Sequence, residues 1–225
     1  PAGMEPSEYR GRFEASYPFL PEVVDVLYQR WGSFTSFQRT RGVLRLLALV
    51  IHALKERELP YIALADFDLA NQEIRRELLK HIGPEYDSVV AADITGEDAG
   101  ARKVDRGLGA AYQGLRLGTR VATTVFLYSF SGGVERGATL GEVKRSATTI
   151  GNPASVVAEA VELLKGRYLF YVRHQSGKYF FTNQPNLNRI LLTRMENIGR
   201  AEIKDEERSL LKERMGGWEL KVLPW

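Results

Sequence analysis

Apolar residues recur at helical spacing through the first third of the chain. In PEVVDVLYQRWG, Val24, Leu27, Tyr28 and Trp31 share a face, Pro21 suits the first helical position and Gly32 supplies the stop. Thr40 can cap a second helix, RGVLRLLALVIHALKER, with Val43, Leu44, Leu46, Leu47, Val50, Ile51 and Leu54 apolar. A helix apolar nearly all round belongs at the centre of its domain, and that position is predicted for it. A third helix starts near Asp68 or Asn71, carries Ile74, Leu78, Leu79 and Ile82 on one stripe, and stops at Gly83-Pro84. YIALAD is a short strand candidate. Six glycines between Gly96 and Gly118 break any long helix, which leaves short helices or a mobile connector, and from Thr119 the run TRVATTVFLYSFSGG reads as helix.

The pattern then changes. Thr139 can cap LGEVKRSAT, the turn TIGNP leads to Pro153 at the head of ASVVAEAVELLKG, and Gly166 closes that helix. Two β-rich runs follow, RYLFYVRH and KYFFTNQ, joined by Gln175-Ser176-Gly177. Helices followed by a strand, a glycine turn and a strand give the order of a winged helix-turn-helix. The expected fold class is therefore mainly α with a small β component, a helical bundle followed by a winged helix-turn-helix. The expected boundaries are a vector-derived or disordered start (1–12), the bundle (13–95), a Gly-rich connector (96–118), the winged helix (119–185), and a charged C-terminal helix with a truncated strand, WELKVLPW (186–225). Met4 inside PAGMEP and the abrupt end suggest an excised piece of a larger protein.

Composition narrows the chemistry. With 0 Cys among 225 residues, a disulfide framework, a Cys-ligated zinc site and a Cys nucleophile are excluded, and a reducing, cytoplasmic setting fits best. His52, His81 and His174 lie far apart, so neither a His metal cluster nor a His-dependent triad is expected. No apolar run reaches the ~18 residues of a membrane span, so no membrane contact is expected. The net charge of +3 conceals a segregation: residues 61–99 hold 3 basic and 9 acidic groups, whereas residues 100–185 hold 12 basic and 5 acidic. Such polarity bears on partners: the two stretches attract each other, solvate two surfaces, or leave the second for a polyanion.

No G-x-x-x-x-G-K-[ST] phosphate cradle occurs, and Gly107-Leu108-Gly109 lacks the context of a dinucleotide fingerprint, so this chain is not expected to hydrolyse a nucleotide or to act as an enzyme by itself. Asp66/Asp68 and Asp87/Asp93 are better read as caps and solvated loops than as acid–base pairs. Ser129 and Ser131 before Gly132-Gly133 lack a nameable His partner. No catalytic or metal residue is assigned, and no cofactor is expected in this fragment. Arg39, Arg41 and Arg45 stand close to the start of an apolar helix, where guanidinium groups either grip an anion or pair internally; for Arg45 the internal candidates are Glu22 and Asp25.

The strings YPFLPEVVDVLYQRWGSFTSFQRTRGVLRLLALVIHAL, DLANQEIRRELLKHIGPEYDSVVAADI and GLRLGTRVATTVFLYSFSGG resemble the C-terminal half of a family of large prokaryotic AAA+-like P-loop ATPases. Its function is undefined and its genes often neighbour DNA methyltransferase or phage-defence genes. The resemblance covers most of residues 17–185, and FQRTRGVLRLLA is its most specific part. It implies that the bundle is all or part of an ATPase lid, with the nucleotide-binding core, ATP and Mg supplied by the rest of the parent. It also implies that Arg45, in the G-x-x-R setting of Gly42-Val43-Leu44-Arg45, is a nucleotide-sensing arginine, with Arg41 as the fallback. The layout is similar to that of archaeal replication initiators.

In winged helices the third helix enters the major groove and the hairpin touches a flanking groove or phosphates. Here the third helix offers Asn152, Ser155, Glu159, Glu162 and Lys165, and two Glu on a reading face oppose phosphate. The wing is more favourable, with Arg173, His174 and Lys178, and Lys144, Arg145 and Arg167 as neighbours. Arg102, Lys103, Arg106, Arg116 and Arg120 can extend the same surface. Two readings follow: duplex DNA gripped through phosphates with little sequence preference, or a protein-interaction winged helix serving oligomerisation or recruitment within the same ATPase.

Overall fold

The computed structural model describes residues 4–197 and 199–215, divided into one compact unit, Pro1–Pro185, and a second, Asn186–Trp225. In the first unit α1 (Pro6–Ser16) lies on α2 (Pro21–Asp25), which runs on through a wide turn, Val26–Arg30. The chain is thus helical well inside the stretch expected to be a vector-derived or disordered start. Tyr9 donates to Glu22 at 3.0 Å and Arg12 to Asp25 at 2.6 Å, tying α1 to α2.

α3 (Thr40–Leu54) follows, then α4 (Gln72–Ile82), α5 (Tyr86–Val90), α6 (Gly100–Gly107) and α7 (Leu117–Tyr128). The side chain of Asn71 accepts from the N–H groups of Glu73 and Ile74, which accounts for the start of α4. YIALAD, the strand candidate, forms a single-turn 3-10 helix over Leu64–Asp66, with only an isolated bridge from Ile62 to Phe19. The expected connector likewise contains α6, whose Gly100, Ala101, Val104 and Asp105 are buried in the same unit.

The central helix is α7, not α3. Ten of the 12 residues of α7 are buried, and the Thr124 hydroxyl donates to the Arg120 carbonyl one turn back at 2.9 Å. α3 buries Gly42, Val43, Leu46, Val50 and Leu54 but leaves Leu44 62% and Ile51 47% exposed. Gly42 is required where it stands, because a Cβ there would meet the Phe37 carbonyl oxygen at 1.9 Å.

Downstream, β1 (Ala138–Thr139), α8 (Leu140–Ala147), α9 (Ala154–Leu163) with its wide final turn Leu164–Tyr168, β2 (Val172–Gln175) and β3 (Lys178–Phe181) follow in order. The antiparallel sheet has the order β1-β3-β2, with Ala138 opposite Tyr179 and Val172 opposite Phe181. The chain is therefore mainly helical with a small three-stranded sheet, and with α7 leading in, the element order is that of a winged helix. Thr139 and Glu142 form a reciprocal capping box at the head of α8. The positive φ of Ser176 (51°) and Gly177 (74°) makes the tight hairpin turn. The second unit consists of α10 (Leu187–Asn197) and α11 (Arg200–Met215); the strand expected in WELKVLPW lies outside the described residues.

Candidate nucleic-acid interface

Several cations of the basic stretch are spent on the fold. Arg120 leaves α7 to bond Asp66, and its remaining nitrogens donate to the carbonyls of Ala147 (3.1 Å) and Ser146 (3.4 Å) at the end of α8. With side-chain exposures of 12% and 4%, this Arg120–Asp66 pair is structural, and Arg120 leaves the set of DNA-binding candidates. Asn152 leaves it as well: it is buried, and its Oδ1 accepts from the Thr149 N–H (2.9 Å) and hydroxyl (2.6 Å), closing the turn before α9. Arg145 pairs with Glu22 at 3.3 Å and Lys178 with Glu135 at 3.5 Å. Glu135 also holds Arg30, which is buried and donates to the carbonyls of Tyr128 (2.8 Å) and Gly137 (2.9 Å). Sequence reasoning missed Arg30, since nothing local distinguishes it from an exposed helical arginine.

Other candidates remain at the surface. His174 is exposed and stacks on Tyr179 with ring centroids 4.5 Å apart; Arg173 is half-buried, with a 3.5 Å bond to the Pro185 carbonyl. Arg167 is exposed, its guanidinium 5.7 Å from the Tyr168 ring, Ser155 is exposed on α9, and Lys144 is half-buried on α8. Arg116 has left-handed backbone (φ 50°) and lines a small cleft with Arg57, Asp66, Asp68 and Arg120.

The geometry adds most at α6. A Cβ at Gly100 would lie 2.1 Å from the Tyr168 carbonyl oxygen, so α6 packs directly on the turn that ends α9. On its outer side α6 carries Arg102, Lys103 and Arg106, Lys103 and Arg106 exposed and Arg102 half-buried. None of the three forms an ion pair with another described residue. The Nε of Arg102 is buried with no acceptor, a donor desolvated without return. The turn on which α6 packs carries Lys165, paired with Glu162 at 3.5 Å, and Arg167, and β2 packs on the same turn. By contrast the exposed positions of α9 include Ser155, Glu159 and Glu162, and the preceding turn exposes Ile150 by 85%.

The same region is locked to the helical bundle by Asp93. This carboxylate is fully buried and accepts from the N–H groups of Phe170 (3.1 Å) and Tyr171 (2.8 Å) at the entry to the hairpin. Burial pushes its pKa up to about 6 against the two backbone bonds, which favour the ion.

In the bundle, Arg45 pairs with neither Glu22 nor Asp25, which are taken by Arg145 and Arg12. Its partner is Glu77 of α4, with Nε at 3.2 Å, while the rest of the guanidinium stays open, the side chain being 62% exposed. Lys80 reaches the same carboxylate at 2.7 Å, and the buried ring of His81 approaches it from the other side at 4.0 Å. Burial lowers the His81 pKa. Arg41 is exposed on the first turn of α3.

The serines before Gly132-Gly133 are structural. Ser129 donates to the Val125 carbonyl at 2.6 Å and accepts from the Phe181 N–H at 2.8 Å, joining α7 to β3. Asp87 pairs with Arg75 at 3.1 Å and Asp68 accepts from the Ala70 N–H at 3.0 Å. Among the described residues no helix is long and apolar enough to cross a membrane.

No curated protein and no solved structure matches the chain. Residues 3–180 match the family described as DUF499 second domain, a domain of unknown function, and on that extent the chain belongs to this family.

Proposed function

We propose that this chain is a duplex-DNA-binding winged-helix region of a larger, cytoplasmic AAA+-like ATPase, and that it grips phosphates with little sequence preference. The observation that carries the reading is the outer face of α6, where Arg102, Lys103 and Arg106 stand together without carboxylate partners among the described residues. Packing of Gly100 on the Tyr168 carbonyl sets α6 against the turn that ends α9, on which β2 of the wing also packs. A phosphate backbone satisfies such a row of cations. Weak sequence preference follows from α9, whose Glu159 and Glu162 oppose close approach of the usual reading helix to phosphates.

In the parent protein the nucleotide-binding core supplies the phosphate cradle that this chain lacks, with ATP and Mg bound there. Nucleotide sensing by Arg45, with Arg41 one turn away as the fallback, is supported by a guanidinium held by Glu77 at Nε and otherwise open. A second reading, a protein-interaction winged helix used in recruitment or self-assembly, is favoured by Ile150 and the acidic face of α9.

Fluorescence anisotropy with a labelled duplex, at low and at moderate salt, separates the two. Binding at low salt that weakens steeply with salt, and by about 10–100-fold when Arg102, Lys103 and Arg106 are all changed to Glu, supports the DNA reading. No binding at low salt, or affinity indifferent to those changes, overturns it and leaves the protein-interaction reading.

A further inference from the structure

We propose that the outer stripe of α3 is the docking face for another domain of the same polypeptide, one that presents an apolar centre between carboxylates. This rests on the reading of the chain as one domain of a longer protein, to which the family's description as a second domain points.

At helical spacing, Arg41, Leu44, Ala48, Ile51 and Lys55 line one outward stripe, opposite the buried Val43, Leu46 and Val50. Leu44 and Ile51 are 62% and 47% exposed. A helix apolar on both faces normally has protein on both. α7 meets that expectation, whereas α3 is covered on one side only. The exposed side has a definite chemistry: its centre is aliphatic and each end carries a cation, about 21 Å apart along the helix axis. Residues 39–57 hold Arg39, Arg41, Arg45, Lys55 and Arg57 against Glu56 as the sole acid. A complementary surface is apolar in the middle and acidic at its rim.

Neither a nucleic acid nor a lipid surface matches this pattern as well. DNA returns nothing for covering Leu44, Ala48 and Ile51, and three small aliphatic positions on one 15-residue helix give a membrane little to hold. A folded domain uses both the aliphatic centre and the charged ends.

Hydroxyl-radical footprinting compares the 225-residue chain with the longer parent polypeptide. Val134, exposed by 102%, serves as the internal control. The expected result is that Leu44 and Ile51 oxidise several-fold more slowly in the parent at every protein concentration. A photo-crosslinker placed at Ile51 should then join α3 to an acidic segment of the same polypeptide. Equal oxidation in the two proteins overturns the proposal. So does protection that depends on protein concentration, which marks a second copy, or protection that requires added duplex DNA or anionic phosphatidylserine vesicles. The outcome is independent of DNA affinity, so the two readings fail separately.

Discussion

Arg120 on α7 and Arg106 on α6 come from the same basic stretch, yet one is held in a largely buried network and the other faces water. Arg120 spans Asp66 and the last carbonyls of α8, which joins the helical bundle to the first helix after β1. Arg106 makes one 3.3 Å bond to the Glu97 carbonyl and shares its face with Lys103 and Arg102. The nominal charge of a segment therefore says little about what a partner meets. Of the nine acids between 61 and 99, Asp66, Glu77 and Asp93 are buried, and the surface field there is weaker than the count. Interior cations hold the two parts together, whereas the α6 row has no carboxylate partner among the described residues.

The largest expected effect tests the interior half of that contrast. Arg120→Ala leaves Asp66 buried without its cation, and urea unfolding should show a loss of about 3–5 kcal/mol. A loss below about 1 kcal/mol, the size of an exposed pair, would place Arg120 at the surface after all. Asp93 comes next. Its folded pKa of about 6 lies above the ordinary carboxyl value, so its contribution to stability is full below about pH 4 and disappears as the pH rises through 6. That amounts to about 3 kcal/mol across the window, and Asp93→Asn should flatten this part of the stability profile. An unchanged profile in the variant would assign the pH dependence to other groups.

The exterior half is tested by affinity. Changing Arg102, Lys103 and Arg106 to Glu should weaken duplex binding by about 10–100-fold and lower the magnitude of the salt slope by about 3 × 0.9. Melting temperature should barely move for the exposed pair Lys103 and Arg106, since surface substitutions cost little. The smallest effect is expected on α9, where Glu159→Gln with Glu162→Gln should tighten binding about 2–5-fold by removing repulsion near the duplex. Weaker binding in that variant would instead make those carboxylates contacts to the DNA.

Local chemistry was legible in the sequence and tertiary placement was not. Thr139 with Glu142, Pro153, and the Ser176-Gly177 turn act within a few residues, and each is where the sequence puts it. α3 and α7 both read as helices in their own letters. What separates them is the β1-β3-β2 sheet and α8 and α9, which pack on α7 from far along the chain. The same holds for Arg120, whose partner lies 54 positions away, and for Asn152, which looks like a reading residue until its turn closes around it. The α6 row was visible as charge, but the packing of α6 on the end of α9 depends on Gly100 meeting Tyr168, a contact with no sequence signature.

An NMR titration of the isotopically labelled chain with a short duplex at low salt tests the central claim most directly. The account predicts amide shift changes concentrated in residues 100–107, 164–168 and 172–178, with residues 154–162 of α9 nearly silent. Changes centred on α9, with α6 silent, would contradict it.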